Sequence, residues 1–314
     1  MRIGVSLGLW QDRPPEEALR TARIADELGY PELWIGEMAT YDAFALATAV
    51  GAATSRIGLT VGPLAVTVRD PMMIAMGAAS VAGLSGRRVG VAVGTSSPTV
   101  VRDWHGRPTA GSATALHETV RALRPLLAGE RSDFAGERVR SRGYRLRLPA
   151  PRSELTVAAF GPRAVRAAAL ADRMVLNLVT PAGAAGPVAA LRRLAPDVRV
   201  AAWVVAAVDP GPAAVAQVRR GVVPYLAAPG YGEMFAEAGF GELVAFARTR
   251  PHPRELLAAV PDALLSSVAL LGDRAEVSGR LAAYAAAGVG EIAVVPACTD
   301  DDPAGAATLE ALAG

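Results

Sequence analysis

Eight short apolar runs, alternating along 314 residues with amphipathic segments of helical period, predict an α/β chain folded as a (β/α)8 barrel. Two further observations carry that reading. Many of the runs are apolar at every position, as in strands covered on both faces. The first run leads into "GLWQDRPPEE" and not into G-x-G-x-x-G, which disfavours the runner-up, a doubly wound sheet with a phosphate loop.

The predicted strands are 2–9, 33–36, 57–62, 89–94, 156–160, 174–178, 198–207 and 291–296. The first intervening helix, 15–28, sets Ala18, Leu19, Ala22, Ile24, Ala25 and Leu28 on its apolar side. Others are expected over 42–54, 71–84, 112–128, 162–171, 184–194, 212–227 and 273–287, with a last one over 303–313. Asp42 is the expected N-cap of the second. Residues 129–150 read as an irregular hairpin excursion, and 228–270 as a helical insertion broken at "APGYG" and "RPHPRE". No internal repeat or low-complexity linker divides the chain, so a single domain over 1–314 is expected.

Composition excludes several function classes. The chain is 52% hydrophobic, enough for a large core, and no apolar run reaches the roughly 18 residues of a spanning helix. The first residues lack a signal-peptide cleavage pattern, and a cytoplasmic protein is expected. The single cysteine, Cys298, excludes an intrachain disulfide and a thiolate zinc cluster. Every basic residue besides the three histidines is arginine; without lysine, Schiff-base catalysis through lysine is excluded. A net charge of +2, with no dense basic tract interleaved with aromatics, argues against a nucleic-acid partner. His105, His117 and His252 have no metal-pair spacing and read as structural.

In such a barrel the chemistry sits where strands end at their C-terminal side. Those ends are Leu9-Trp10, Glu37-Met38, Gly62-Pro63, "GTSSP" at 94–98, "FGPR" at 160–163, Asn177 and Pro296. Glu37 reads either as a proton donor in a partly apolar mouth or as a solvated loop carboxylate. "GTSSP" offers backbone N–H groups and the hydroxyls of Thr95, Ser96 and Ser97, or is an ordinary turn. After Phe160, the residues Gly161, Pro162 and Arg163 open a helix and either hold an anion or only start it. Gly62-Pro63 is the odd one: proline has no N–H for a ladder, yet it interrupts an alternating strand.

Taken together, "WIGEMATYDAFALATAVGAATSRIGLTVGPLAVTVRDP", "LSGRRVGVAVGTSSPTVVRDWHGRP", "FGPRAVRAAALADRMVLN" and "LLGDRAEVSGRLAAYAAAGVGEIAVVPA" resemble the bacterial luciferase-like superfamily, and within it the oxidoreductases that use coenzyme F420, a 5-deazaflavin. The resemblance covers nearly the whole chain, is most specific from Trp34 to Pro108, and is weakest over 200–265. It implies a luciferase-like (TIM) barrel and a cis-peptide bulge at Gly62-Pro63 that backs the central ring of the deazaflavin. It implies Thr95, Ser96 and Ser97 along the ring and ribityl chain, Gly161, Pro162 and Arg163 at the phosphate, and Glu37 near the reacting edge. Phe160 and Asn177 complete the expected cofactor-facing set, and no metal is expected.

The implied activity is hydride transfer to a small-molecule substrate, with an FMN-dependent monooxygenase and a non-catalytic ligand-binding barrel as alternatives. A homodimer is the implied assembly, with no membrane partner, and the lysine-free, alanine-rich composition fits a GC-rich actinobacterial source. Three departures from the family pattern matter. Glu37-Met38 stands where many relatives carry Asp-His, and no carboxylate lies near Ser97, where relatives that oxidise sugar phosphates have one. Ala171-Asp172-Arg173 replaces Ala-Asp-Gly, an expected addition of bulk and charge beside the phosphate region.

Overall fold

The computed structural model describes residues 1–313. Eight parallel strands close into a barrel: Arg2–Ser6, Glu32–Ile35, Gly58–Ala65, Val89–Gly94, Leu155–Ala158, Arg173–Asn177, Arg199–Val208 and Glu291–Pro296. Each pairs with its neighbours in sequence order, and the ring closes because Arg2–Ser6 runs in register with Glu291–Pro296 from Arg2↔Glu291 to Val5↔Val294. All eight predicted strands are present. A ninth, Leu270–Gly272, extends the outer end of the seventh alongside Ala206–Val208.

The strands read as apolar throughout because their two faces are buried differently. Outward side chains such as Val5, Leu33, Leu59, Val91 and Met174 pack under the helices in the main core. Inward positions are mostly small or polar, and a second cluster of Trp34, Ala92, Val175, Ala201, Trp203 and Ala293 fills the barrel's interior. This is the period-two alternation of strands with both faces covered.

Helix starts follow ordinary capping. Asp42 accepts from the N–H groups of Phe44 and Ala45 at 3.0 Å each and caps Ala43–Ala53, as expected. Asp70 caps Pro71–Ser85 through Met73 N–H, with Pro71 in the first turn, where its missing N–H is harmless. The expected excursion is a two-stranded hairpin, Asp133–Ala135 with Arg140–Arg142. The 228–270 segment forms helices at Tyr231–Phe235, Gly241–Arg248, Pro253–Ala259 and Asp262–Val268. No helix among the described residues is long and apolar enough to cross a membrane.

The third strand answers the puzzle of Gly62-Pro63. It continues through these residues to Ala65, past the predicted end at 62, and its register slips by one residue: Val61 pairs with Val91 but Leu64 with Val93. That is a β-bulge, the setting in which a strand tolerates proline. The Gly62–Pro63 bond is cis and Gly62 has φ +117°.

Candidate active site

At the N-terminal end the barrel is closed by charge. Arg173, 1% exposed, donates from Nη1 to Glu32 and Glu291 at 2.8 Å each, from Nη2 to Glu32 at 2.8 Å and from Nε to Thr156 at 3.1 Å. Arg199 bridges Glu154 and Glu291 at the same end. This corrects the expectation for Arg173. As the first residue of its strand, in phase with inward Val175, it lies at the barrel's floor and not beside a phosphate site. Burial would raise the pKa of Glu32, but the Arg173 guanidinium and the Thr60 hydroxyl hold it below the usual carboxylate value.

Above this floor stands a column of aromatic rings. The Arg173 guanidinium lies 4.3 Å from the centre of the Trp34 ring. Trp34 meets Trp203 edge-on at 5.8 Å between centroids, and Trp203 stacks on Trp10 at 6.1 Å with 13° between planes. The Trp203 indole reaches from the seventh strand to the end of the second, where a Cβ on Gly36 would stand 3.3 Å from its Cη2. Trp203 is therefore the base of the mouth and not only core. Its Nε1–H is buried and has no hydrogen-bond partner, and the same holds for the Ser6 hydroxyl.

One wall of the mouth is made of backbone. A Cβ on Gly94 would come within 3.1 Å of Ala158 Cβ and 3.7 Å of Pro63 Cβ, so the bulge and the ends of the fourth and fifth strands are in close contact. The side next to it, past the end of the fifth strand, is aromatic. Phe160 stacks on Tyr231 at 4.8 Å, and Tyr231 meets Tyr225 at 4.8 Å. The Asn177 amide donates to the hydroxyls of Tyr225 and Tyr231 through long bonds of 3.4 and 3.5 Å. Burial keeps both phenols above their ordinary pKa, and for Tyr231 the neighbouring Tyr225 adds to the effect, so they stay neutral.

Glu37 lies at the end of the second strand, half-buried, and it is not free. Arg69 Nε donates to its two carboxylate oxygens at 3.0 and 2.9 Å, and Arg69 Nη2 also binds Glu37 and Asp42. The guanidinium lies 5.4 Å from the Phe44 ring centre, and its bonds to Glu37 hold it firmly protonated. A carboxylate that accepts a forked pair is an anchored acceptor, a different role from the expected proton donor.

The structure therefore joins Gly62 and Pro63 to Gly94, and Phe160 to Asn177 through Tyr231. Thr95 is half-exposed, and Ser96 and Ser97 are exposed; Ser96 has φ +58° and Ser97 Oγ accepts from Val100 N–H at 3.3 Å. Gly161, Pro162 and Arg163 are exposed at the start of the helix Pro162–Ala168. No side-chain hydrogen bond among the described residues ties these two groups to the rest of the mouth. Burial pushes the Cys298 thiol up to about 12, which removes it as a nucleophile. Among the described residues no three His, Cys, Asp or Glu side chains gather as a metal site.

Sequence reading missed Arg69, Tyr225, Tyr231 and the polar edge of Trp203. The tyrosines come from the insertion or its approach, where no strand rule applies. Trp203 carried no strand-end signal, because it sits in the middle of Arg199–Val208, where inward phase reads as core.

A closed parallel barrel with a bulged third strand and an aromatic mouth defines the structural class. The chain belongs to the luciferase-like monooxygenase family, whose model matches residues 1–291. A Mycobacterium tuberculosis protein named "Putative coenzyme F420-dependent oxidoreductase" is 28% identical over 149 residues, 48% of this chain and 41% of its own length. An uncharacterized Mycobacterium bovis protein is 34% identical over 96 residues, 31% of this chain and 33% of its own. The matched region thus spans less than half the length of either curated relative.

Among solved structures, the coenzyme F420-dependent tetrahydromethanopterin reductase of Methanopyrus kandleri superposes with TM-score 0.81 at 18% identity, covering 100% of this chain and 98% of the other. The oxygenating constituent of 3,6-diketocamphane monooxygenase of Pseudomonas putida, in complex with FMN, gives 0.72 at 16% identity, covering 100% and 96%. At these identities the likeness is one of fold.

Proposed function

We propose that the chain is an F420-dependent oxidoreductase, acting as a reductase on a C=C or C=N bond of a small or natural-product molecule in the cytoplasm. One observation carries this reading: the bulge at Gly62-Pro63 packs beside Gly94 and Ala158, so the residues that meet at this wall of the mouth are glycine, proline and alanine. Such a wall suits a planar heterocycle, and the partnerless Trp203 N–H at the base suits a ligand in the mouth. The relative named for F420 supports the choice of cofactor over part of the chain.

A deazaflavin held at that wall would supply the hydride. The chain's own part is to orient and exclude. Gly62, Pro63 and Gly94 back the ring; Thr95, Ser96 and Ser97 line its edge and side chain; Gly161, Pro162 and Arg163 offer free N–H groups and a cation for a phosphate. Phe160 and Asn177 border the aromatic side, where Tyr225 and Tyr231 keep water out. Glu37, fixed by Arg69, orients a water on a carboxylate oxygen, and a proton from solvent passes through that water to the substrate, so that no hydroxide is left behind.

Absorbance titration with the deazaflavin and with FMN, followed by a screen of unsaturated acceptors, tests this reading. Tight FMN binding with oxygen consumption would replace it with the monooxygenase reading, and binding of neither would leave a non-catalytic barrel.

The helix Pro71–Ser85 exposes Met73, Met76 and Leu84, the last 75% exposed, and we extend the proposal to a homodimer formed on that face. Sedimentation at micromolar concentration tests it; a monomer there rules the dimer out.

A further inference from the structure

We propose that the Trp203 indole N–H and the Ser6 hydroxyl form a substrate subsite that selects a flat, non-anionic molecule with a carbonyl or imine acceptor. The inference rests on the mouth being the catalytic site and narrows the substrate class of that site.

Buried polar groups in folded proteins are almost always partnered. Trp203 is 8% exposed and Ser6 fully buried, yet Trp203 Nε1 and Ser6 Oγ have no partner. Both belong to the same interior column. Ser6 pairs in register with Trp34, and Trp34 meets Trp203 edge-on. An indole N–H only donates and a hydroxyl donates readily, so the missing partner is an acceptor.

The surroundings fix its charge and shape. The charged groups nearest the column are tied to one another: Arg173 and Arg199 with Glu32, Glu154 and Glu291 below, Arg69 with Glu37 and Asp42 at the rim. In each cluster the carboxylates outnumber the arginines by one, so no cation is left for an anionic substrate, and a desolvated charge without a partner is strongly disfavoured. The rings of Trp10, Trp203, Phe160 and Tyr231 favour a planar, conjugated body.

The position is also right for a substrate. The bulged third strand and the seventh strand, which carries Trp203, stand four strands apart in a ring of eight, on opposite sides of the mouth. The indole crosses from there to Gly36 at the end of the second strand, beside the bulged third, so a molecule held by it lies next to a ring placed against the bulge.

The full chain, purified without added cofactor, is titrated by calorimetry with chromone, a flat neutral ketone, and with 4H-chromene, which has the same ring skeleton and no carbonyl. Chromone is expected to bind about tenfold more tightly. Trp203→Phe should bring the two affinities to within about twofold, and so should Trp203→benzothienylalanine, which keeps the indole's shape with sulfur in place of N–H. Equal affinities in the unaltered chain, no chromone binding, or a preference that survives both substitutions overturns the subsite; the last result means that the N–H points at the Trp34 ring. Deazaflavin titration of the same samples separates the two proposals. Failure there with the chromone preference intact removes the cofactor and leaves the subsite.

Discussion

The guanidinium of Arg173 lies 4.3 Å from the centre of the Trp34 ring, which joins the charged floor of the barrel to the aromatic column above it. Arg173 is held from below by Glu32 and Glu291 and covered from above by an indole face, so it is buried without being unpaired. Arginine suits this place because its planar fork serves two carboxylates while its face stacks on a ring. Replacing Arg173 by alanine leaves buried Glu32 without its cation and Glu291 held by Arg199 alone. Arg173→Ala should lower stability by about 3–5 kcal/mol, measured by urea unfolding at pH 7. A loss under about 1 kcal/mol would mean that the floor contributes little to the fold.

The same pair sets a pH dependence. Glu32 has a folded pKa below its ordinary value of 4.5. In acid the unfolded chain therefore binds the proton more readily than the native one. The stabilisation is complete above the ordinary value and is lost as pH falls through the lowered one. Unfolding free energies at pH 7, 5 and 3 should fall towards acid in the native sequence. In Arg173→Ala the trend should flatten or reverse, because Glu32 then gains by becoming neutral.

Gly62 cannot be replaced without moving the mouth. Its φ of +117° is strained for any L side chain, and an added Cβ would stand 2.1 Å from the carbonyl oxygen of Ala92 on the neighbouring strand. Gly62→Ala should destabilise the barrel by more than about 1 kcal/mol and abolish binding of a planar cofactor. Thermal unfolding and the absorbance titration check both parts. Wild-type cofactor affinity in this variant would separate the bulge from ligand binding.

Much of the architecture was legible because strands buried on both faces read as unbroken apolar runs, and the rule of strand ends picked out Glu37, Gly62-Pro63, Phe160 and Asn177. What stayed hidden was pairing over distance. Arg69 lies 32 residues from Glu37, and Arg173 lies 141 from Glu32. Local pattern carries no signal for such partners. In "ADR" the family tripeptide points Arg173 at the phosphate region, whereas its inward phase with Val175 at the start of the strand sends it to the floor. Tyr225 and Tyr231 reach the mouth only because the insertion folds over it, which depends on packing and not on periodicity.

Glu37 and Arg69 should act as a unit. Glu37→Gln keeps an oxygen that accepts from Arg69 but removes the charge that holds the guanidinium and orients the water that relays the proton. Turnover of the deazaflavin-dependent reaction should fall about 10–100-fold, with cofactor affinity changed less than about twofold. Arg69→Met should produce a similar loss by freeing the carboxylate to swing out of place. The double variant should then be little worse than either single one, because each change already breaks the same pair. Steady-state kinetics of the three variants, with cofactor affinity measured separately, decides the matter. Losses that multiply would mean that the two residues work independently, and unchanged turnover in Glu37→Gln would take Glu37 out of the mechanism.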